Sequence, residues 1–405
     1  MRWMRALRIV LFAFSCLVAS PSLANVVTDW NEAALSVLGQ SKTRVFPPRV
    51  MAMTEIAVFD AVNAVARSYS PYAYKGAAAP GASEVAAASE AAYRLLADAA
   101  PDMEPTLAAM NAKWLAAVTD PAARAAGVSL GDEAARAIEA ARKDDNFDAS
   151  VEYTPGAPAP GVYQKTAPGD VLWPHLLEMR PFAFESAKDV LLPPPPPVDS
   201  PQFLRDLVET RTIGSATDDA DREGYAIAKF HERPGIFDWS AIGRQMIVSH
   251  DLDLVDSARA MALLEIAIAD SLSVGYGAKY FYNFWRPVTA IHAGGAGFGH
   301  PEIVADPDWK PRIETPKFPE YPCMHCGVGA ASSTILERLF PDRPAFKVAV
   351  PGRGERAFRD FRQFADEEAE SRLIGGVHFR WSVVAGAALG ESVAKIALKT
   401  FAATP

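Results

Sequence analysis

The sequence predicts an all-α fold, and three observations predict it. Apolar residues recur at helical spacing through most of the 405-residue chain, half of whose residues are hydrophobic. The N-terminal half shows none of the apolar–polar alternation that marks a half-buried strand. A proline-rich segment then parts two helical halves, so the helices fall into two groups.

The first 24 residues read as an export signal. Arg2, Arg5 and Arg8 precede an apolar run over 9–18, and Ser22-Leu23-Ala24 offers a small-x-small cleavage site. That run is too short to cross a bilayer comfortably. Cleavage is expected near Ala24, giving an exported chain, periplasmic or secreted. Losing three arginines takes the formal charge from −9 to −12. So acidic a chain excludes sequence-independent nucleic-acid binding, which rests on a basic surface. No later segment offers eighteen uninterrupted apolar residues, so no stable membrane span is expected.

Residues 25–150 form the N-terminal helical region. Apolar positions over 29–66 keep helical spacing, and Pro47-Pro48 suits a helix start. Ala- and Glu-rich helices are expected at about 83–100, 102–118 and 120–143. Residues 151–201 change texture: YTPGAPAPGVYQ and five consecutive prolines at 193–197 exclude helix and central strand. This segment reads as a surface strap, pinned by Trp173 and Phe182. Residues 202–405 return to helix, strongly over 256–285 and again at about 326–340, 355–370 and 378–401. A Gly/Pro-rich loop covers 292–322. Ser249-His250-Asp251 invites a triad reading, but adjacent residues cannot converge as a triad must.

Three segments carry chemistry. In KYFYNFWRP, residues 279–287, Lys279 and Arg286 stand seven apart and on one helix would share a face. Burying both is costly unless an anion pairs with them. In EYPCMHC, residues 320–326, Cys323, His325 and Cys326 crowd together. Taken alone they suggest a local disulfide, free thiols, or redox or metal chemistry. Zinc would want further ligands, and no second cluster exists. In SRLIGGVHFRWS, residues 371–382, Arg372 can grip an oxyanion through two N–H groups, and Gly375-Gly376 lets His378 reach the same point.

Together these segments spell Lys, six residues, Arg-Pro; then Pro-x-x-His; then Ser-Arg, five residues, His. Thirty-four residues separate Pro287 from Pro322, and 45 separate His325 from Ser371. The pattern resembles the signature of the superfamily uniting vanadium-dependent haloperoxidases with type 2 phosphatidic acid phosphatases and bacterial acid phosphatases. The wording FWRP and FPEYP, and the long helical N-terminal half, resemble its soluble chloroperoxidase-like branch.

The resemblance implies two packed helical bundles with the oxyanion site in the C-terminal one. It implies vanadate as cofactor, or none if phosphate is the substrate moiety. Lys279, Arg286 and Arg372 would clamp the anion, with Cys323 and Met324 in the anion loop. His378 would be the axial group, ligand to vanadium or nucleophile, and His325 the acid–base. Phe318 matches an aromatic near the halide pocket, and Asp219 an acidic partner. The implied activity is halide oxidation by peroxide; the alternatives are an exported acid phosphatase working through a phosphohistidine, and a catalytically weakened anion-binding homologue. The implied partners are small molecules, peroxide and halide or a phosphomonoester, with a homo-oligomer left open. The chain departs from the family in two places. Cys323-Met324 replaces Ser-Gly in Pro-Ser-Gly-His, and Ser382 stands where an Asp often orients the axial histidine.

Overall fold

The structure is a computed structural model and describes residues 25–43, 45–169, 172–190, 192–216 and 222–403. The leader 1–24 and Asp219 lie outside the described residues. Among the described residues there are thirteen α-helices and one two-stranded hairpin, so the fold is all-α.

The N-terminal helices are α1 (Val26–Gln40), α2 (Pro47–Ala66), α3 (Glu84–Ala99), α4 (Glu104–Ala117) and α5 (Pro121–Arg142). Their starts follow from the sequence. Side chains of Asn25, Ser83 and Asp120 accept from backbone N–H groups of the first turn, and prolines open α2 and α5. The C-terminal helices are α6 (Pro201–Ile213), α7 (Arg222–Phe230), α8 (Ile236–Ser249), α9 (Leu254–Tyr282), α10 (Pro287–Ala293), α11 (Met324–Leu339), α12 (Phe361–Ile374) and α13 (Arg380–Ala397).

The 29-residue α9 is the shared member of both groups. It packs on α2 from one side and on α11 and α13 from the other. Helix α9 is long and apolar enough to cross a membrane, but protein surrounds it: 89% of its apolar window is buried. One continuous core therefore runs from Trp30 and Phe59 in the first group, through Leu263 and Ile266, to Phe364 and Phe401 in the second.

Two expectations need correction. Residues 355–360 are not helical. Strand β1 (Phe346–Val350) pairs antiparallel with β2 (Gly354–Phe358), and α12 starts only at Phe361, capped by Asp360. Burial alternates along β1 with the two-residue period of a half-buried strand. Arg286 does not continue the helix bearing Lys279. Asn283 adopts left-handed φ 48° and caps α9, and Arg286 is extended ahead of Pro287.

The 151–201 strap lies across α9 and the segment that follows it. The backbone N–H groups of Phe182 and Ala183 donate to the two Asp270 oxygens at 2.7 and 2.8 Å. Trp173 packs on Phe46, ring centroids 5.3 Å apart. Further along, Tyr163 N–H donates to the Asn283 carbonyl and Trp285 N–H to that of Gly161, both within 3.0 Å. The strap thus splints the chain on either side of Phe284, two residues before Arg286.

Inside the core, Asn31 Nδ2 donates to both Glu55 and Glu265, and Ser240 donates to Glu265. One oxygen of each carboxyl has no partner. Burial pushes Glu55 up to about 8 and Glu265 up to about 7. A carboxyl whose folded pKa is raised holds its proton when the unfolded chain has already lost its own. The stability it contributes is therefore complete below the unfolded value near 4.5 and is lost as pH rises through 7 to 8. The melting temperature is accordingly expected to fall between pH 5 and pH 8.5, and Glu55→Gln to flatten that fall in calorimetry at matched ionic strength.

Candidate functional site

Four elements meet at one end of the C-terminal group: α9, the turn before α10, the α11 start, and the turn between α12 and α13. Lys279 lies in the last turn of α9 and is fully buried. Its Nζ donates to the carbonyls of Glu320 at 2.8 Å and Pro322 at 2.5 Å, which leaves one N–H for another acceptor. Arg286 is fully buried. Its Nε donates to the Phe318 carbonyl at 2.9 Å and its Nη1 to the Val377 carbonyl at 2.9 Å. Arg372, in the last turn of α12, donates from Nη1 to the His231 carbonyl at 3.2 Å.

After α12 the chain reverses through Gly376 at φ 76°, where a Cβ would meet the Gly214 carbonyl oxygen at 2.6 Å. Only glycine suits that backbone. The reversal delivers His378 two residues before α13 begins. Its Nδ1 lies 2.7 Å from Glu320 Oε1, and its Nε2 3.3 Å from Arg286 Nη1. His325, in the first turn of α11, points its Nε2 at the Arg233 carbonyl, 3.1 Å away.

Three basic side chains crowd together with Glu320 among them and Glu368 near Arg372, and this shows in their acidities. Burial, then the Arg286 charge, hold Lys279 well below its usual value. Burial lowers Arg286 and Arg372 to about 10 each, with Arg286 adding to the effect on Arg372. His378 is held well below its ordinary value by burial and then by Arg286, and His325 by burial and then by Arg372. Burial raises Glu320 to about 7 against the pull of Lys279 and Arg286. Both imidazoles are therefore neutral at neutral pH.

Within this cluster Arg286 Nη2 and Arg372 Nε are buried N–H groups without a partner. Leaving a buried charged donor unmade costs more than about 1–3 kcal/mol. Unmatched donors of this kind, in a cluster where Lys279 keeps a third N–H, are of the sort that could hold a tetrahedral oxyanion such as vanadate or phosphate. Beside the cluster lies a cavity of about 190 Å³ that His325, Arg372 and His378 line. The remaining walls are mostly apolar: Ile236, Leu272, Tyr276, Phe318, Met324 and Val328. The Phe318 ring lies 5.3 Å from Lys279 Nζ and 5.1 Å from the Arg286 guanidinium carbon.

The two positions that depart from the family pattern behave differently. Cys323 is bonded to Cys326, so it has no S–H to donate. Its sulfur caps α11, accepting from Cys326 N–H, and the pair packs among Leu373 and Val383. Of the readings open for the two cysteines, the structure shows the local disulfide, so the Cys323 side chain has no hydrogen to offer an anion. Met324 does line the cavity, and Gly275 on α9 makes room for it: a Cβ there would meet Met324 Cγ at 3.0 Å. Sequence reasoning missed Glu320. Its contact with His378 bridges 58 positions, and no spacing rule reaches that far.

Three of the other histidines have structural work. His292 Nε2 donates to the Trp309 carbonyl, and the His300 ring stacks on Phe203. His250 Nδ1 donates to the Met246 carbonyl at 2.8 Å, so Nδ1 carries hydrogen and cannot take a proton from Ser249, while Nε2 faces the Asp342 carboxylate.

Residues 259–404 match the family described as the VCPO second helical-bundle domain. Vanadium chloroperoxidase of Curvularia inaequalis is 24% identical over 188 residues, covering 34% of this chain and 30% of that protein. The chain thus spans under a third of that relative's length. Among solved structures, the fold is similar to a bacterial vanadium-dependent iodoperoxidase: TM-score 0.81, 24% identity, 93% of this chain and 96% of that one. An apo-type bacterial vanadium-dependent chloroperoxidase gives a TM-score of 0.72 at 17% identity, covering 90% and 97%. In sequence and in fold, then, the chain resembles the vanadium haloperoxidases.

Arg372→Lys removes the planar fork while keeping the charge. A charge-assisted hydrogen bond is worth about 1.5–3 kcal/mol, so orthovanadate or phosphate should bind about ten- to hundredfold more weakly by titration calorimetry. Circular dichroism should stay unchanged.

Proposed function

We propose that this chain, with the fold of the vanadium haloperoxidases and their helical-bundle domain over 259–404, oxidises halide with hydrogen peroxide on bound vanadate. The buried Arg286 and Arg372 N–H groups without partners carry this reading. Lys279, Arg286 and Arg372 would hold the oxygens, and His378 would meet the vanadium through Nε2. Vanadate held there supplies an electrophilic centre that passes oxygen from peroxide to halide. His325 gives its Nε2 hydrogen to the Arg233 carbonyl, so its bare Nδ1 is free to take a proton from peroxide. A neutral imidazole suits that task, and burial beside Arg372 keeps His325 neutral.

The cavity walls bear on which halide is used. Desolvating a small anion costs more than desolvating a large one, and the apolar walls repay little of that cost. Iodide is the preferred halide on this ground, then bromide, with chloride last. The Cys323–Cys326 disulfide supports the exported location read from the leader, because such bonds persist in oxidising compartments.

Phosphomonoester hydrolysis is the second reading. His378 Nε2 is bare and has a carboxylate behind its ring, which also suits a nucleophile.

One paired assay on metal-free protein separates these readings. With vanadate and peroxide, oxidation is expected to be fastest for iodide, and His325→Ala to lower kcat by about 10²–10⁴. Aryl phosphate hydrolysis lost in His378→Ala would instead support the phosphatase. Vanadate binding without turnover in either assay would leave an anion holder and overturn the peroxidase.

A further inference from the structure

Two contacts fix the tautomer of His378. Arg286 Nη1 always carries hydrogen, so at 3.3 Å from Nε2 it donates, and Nε2 is bare. The ring proton therefore sits on Nδ1, 2.7 Å from Oε1 of Glu320. That same oxygen accepts the backbone N–H of Phe379 at 3.2 Å, which ties the carboxyl group to the residue following the histidine.

Glu320 is fully buried, and its own carbonyl oxygen accepts from Lys279. Its main chain steadies the ammonium while its side chain faces the imidazole. Ser382, four residues beyond His378, cannot do the same. Its Oγ lies 3.5 Å from Nδ1, too far for a strong bond, and a hydroxyl is a poorer acceptor than a carboxylate.

We propose that Glu320 is the positioning residue of this site: it holds the His378 proton on Nδ1 and turns the bare Nε2 toward the bound oxyanion. The carboxylate reaches Nδ1 from the segment ahead of α11, with the Ser382 hydroxyl beside it on the same side of the ring. Such an arrangement fixes both ring plane and tautomer, as outer partners of ligating histidines do. The inference rests on the reading that the cage holds an oxyanion, yet the tautomer can be tested without one.

The test uses the full chain with ring-¹⁵N histidine, the His378 signals being assigned by difference against His378→Gln. Wild type should show a single Nδ1–H tautomer before any ligand is added. Glu320→Ala should mix the tautomers and weaken orthovanadate binding, measured without peroxide or halide, by about ten- to hundredfold. Glu320→Gln should keep the tautomer, because its amide oxygen still accepts from Nδ1 and from Phe379 N–H. Ser382→Asp in the Glu320→Ala background should restore both readouts.

An unchanged tautomer and vanadate affinity in Glu320→Ala would overturn the proposal. A loss of affinity that follows lowered thermal stability alone, with the tautomer intact, would overturn it too. If wild type binds neither vanadate nor phosphate while the tautomer still responds to Glu320→Ala, the oxyanion reading fails and the Glu320–His378 pairing stands.

Discussion

Three basic side chains buried together in a helical core, with the carboxyl group of Glu320 among them, set the terms for the residues around them. Lys279, Arg286 and Arg372 are almost wholly buried, and their partners are mostly backbone carbonyls. Carbonyl oxygens offer partial charge and cannot neutralise a guanidinium. Removing the cations would be the cheaper route to stability, since buried ions seldom outdo hydrophobic residues of similar volume. Their retention is best understood as preorganisation for a ligand that brings negative charge with it.

Holding such a cluster in place takes more structure than the cluster itself contains. Lys279 is positioned by α9, Arg286 by a turn that the strap splints through Gly161 and Tyr163, Arg372 by α12, and His378 by a reversal at Gly376. The irregular 151–201 segment is therefore part of the site's frame, although none of its described residues lines the cavity. Asp270 makes the point: its carboxyl on α9 accepts two strap N–H groups, a junction about as strong as a helix cap.

Much of this was legible in the sequence, and the rest failed for physical reasons. The start of α2 was visible because prolines act locally, and α3, α4 and α5 lie within about a turn of where apolar spacing put them. Lys279, Arg286, Arg372, His325 and His378 could be named together because their spacing carries a family pattern. The helix containing Lys279 was drawn too long, although Asn283 and the residue before Pro287 are both signals for its end. The Cys323–Cys326 disulfide was among the readings the spacing allowed, but spacing alone could not choose it over free thiols or metal chemistry. Glu320 and the Met324–Gly275 fit depend on segments that meet only in the folded chain, and nothing local announces them.

Helix α9 has one more consequence. The recognisable family segment begins at residue 259, inside the second turn of a helix that starts at Leu254. Cutting there would strip the Asp253 cap and bare the face that α2 covers, while Lys279 sits at the far end of the same rod. The stretch that can be recognised and the unit that can fold are therefore different objects. The N-terminal helices, which supply none of the site's charges, belong to the second: a shortened chain would keep every one of its charged residues and lose the buttress that aims the first.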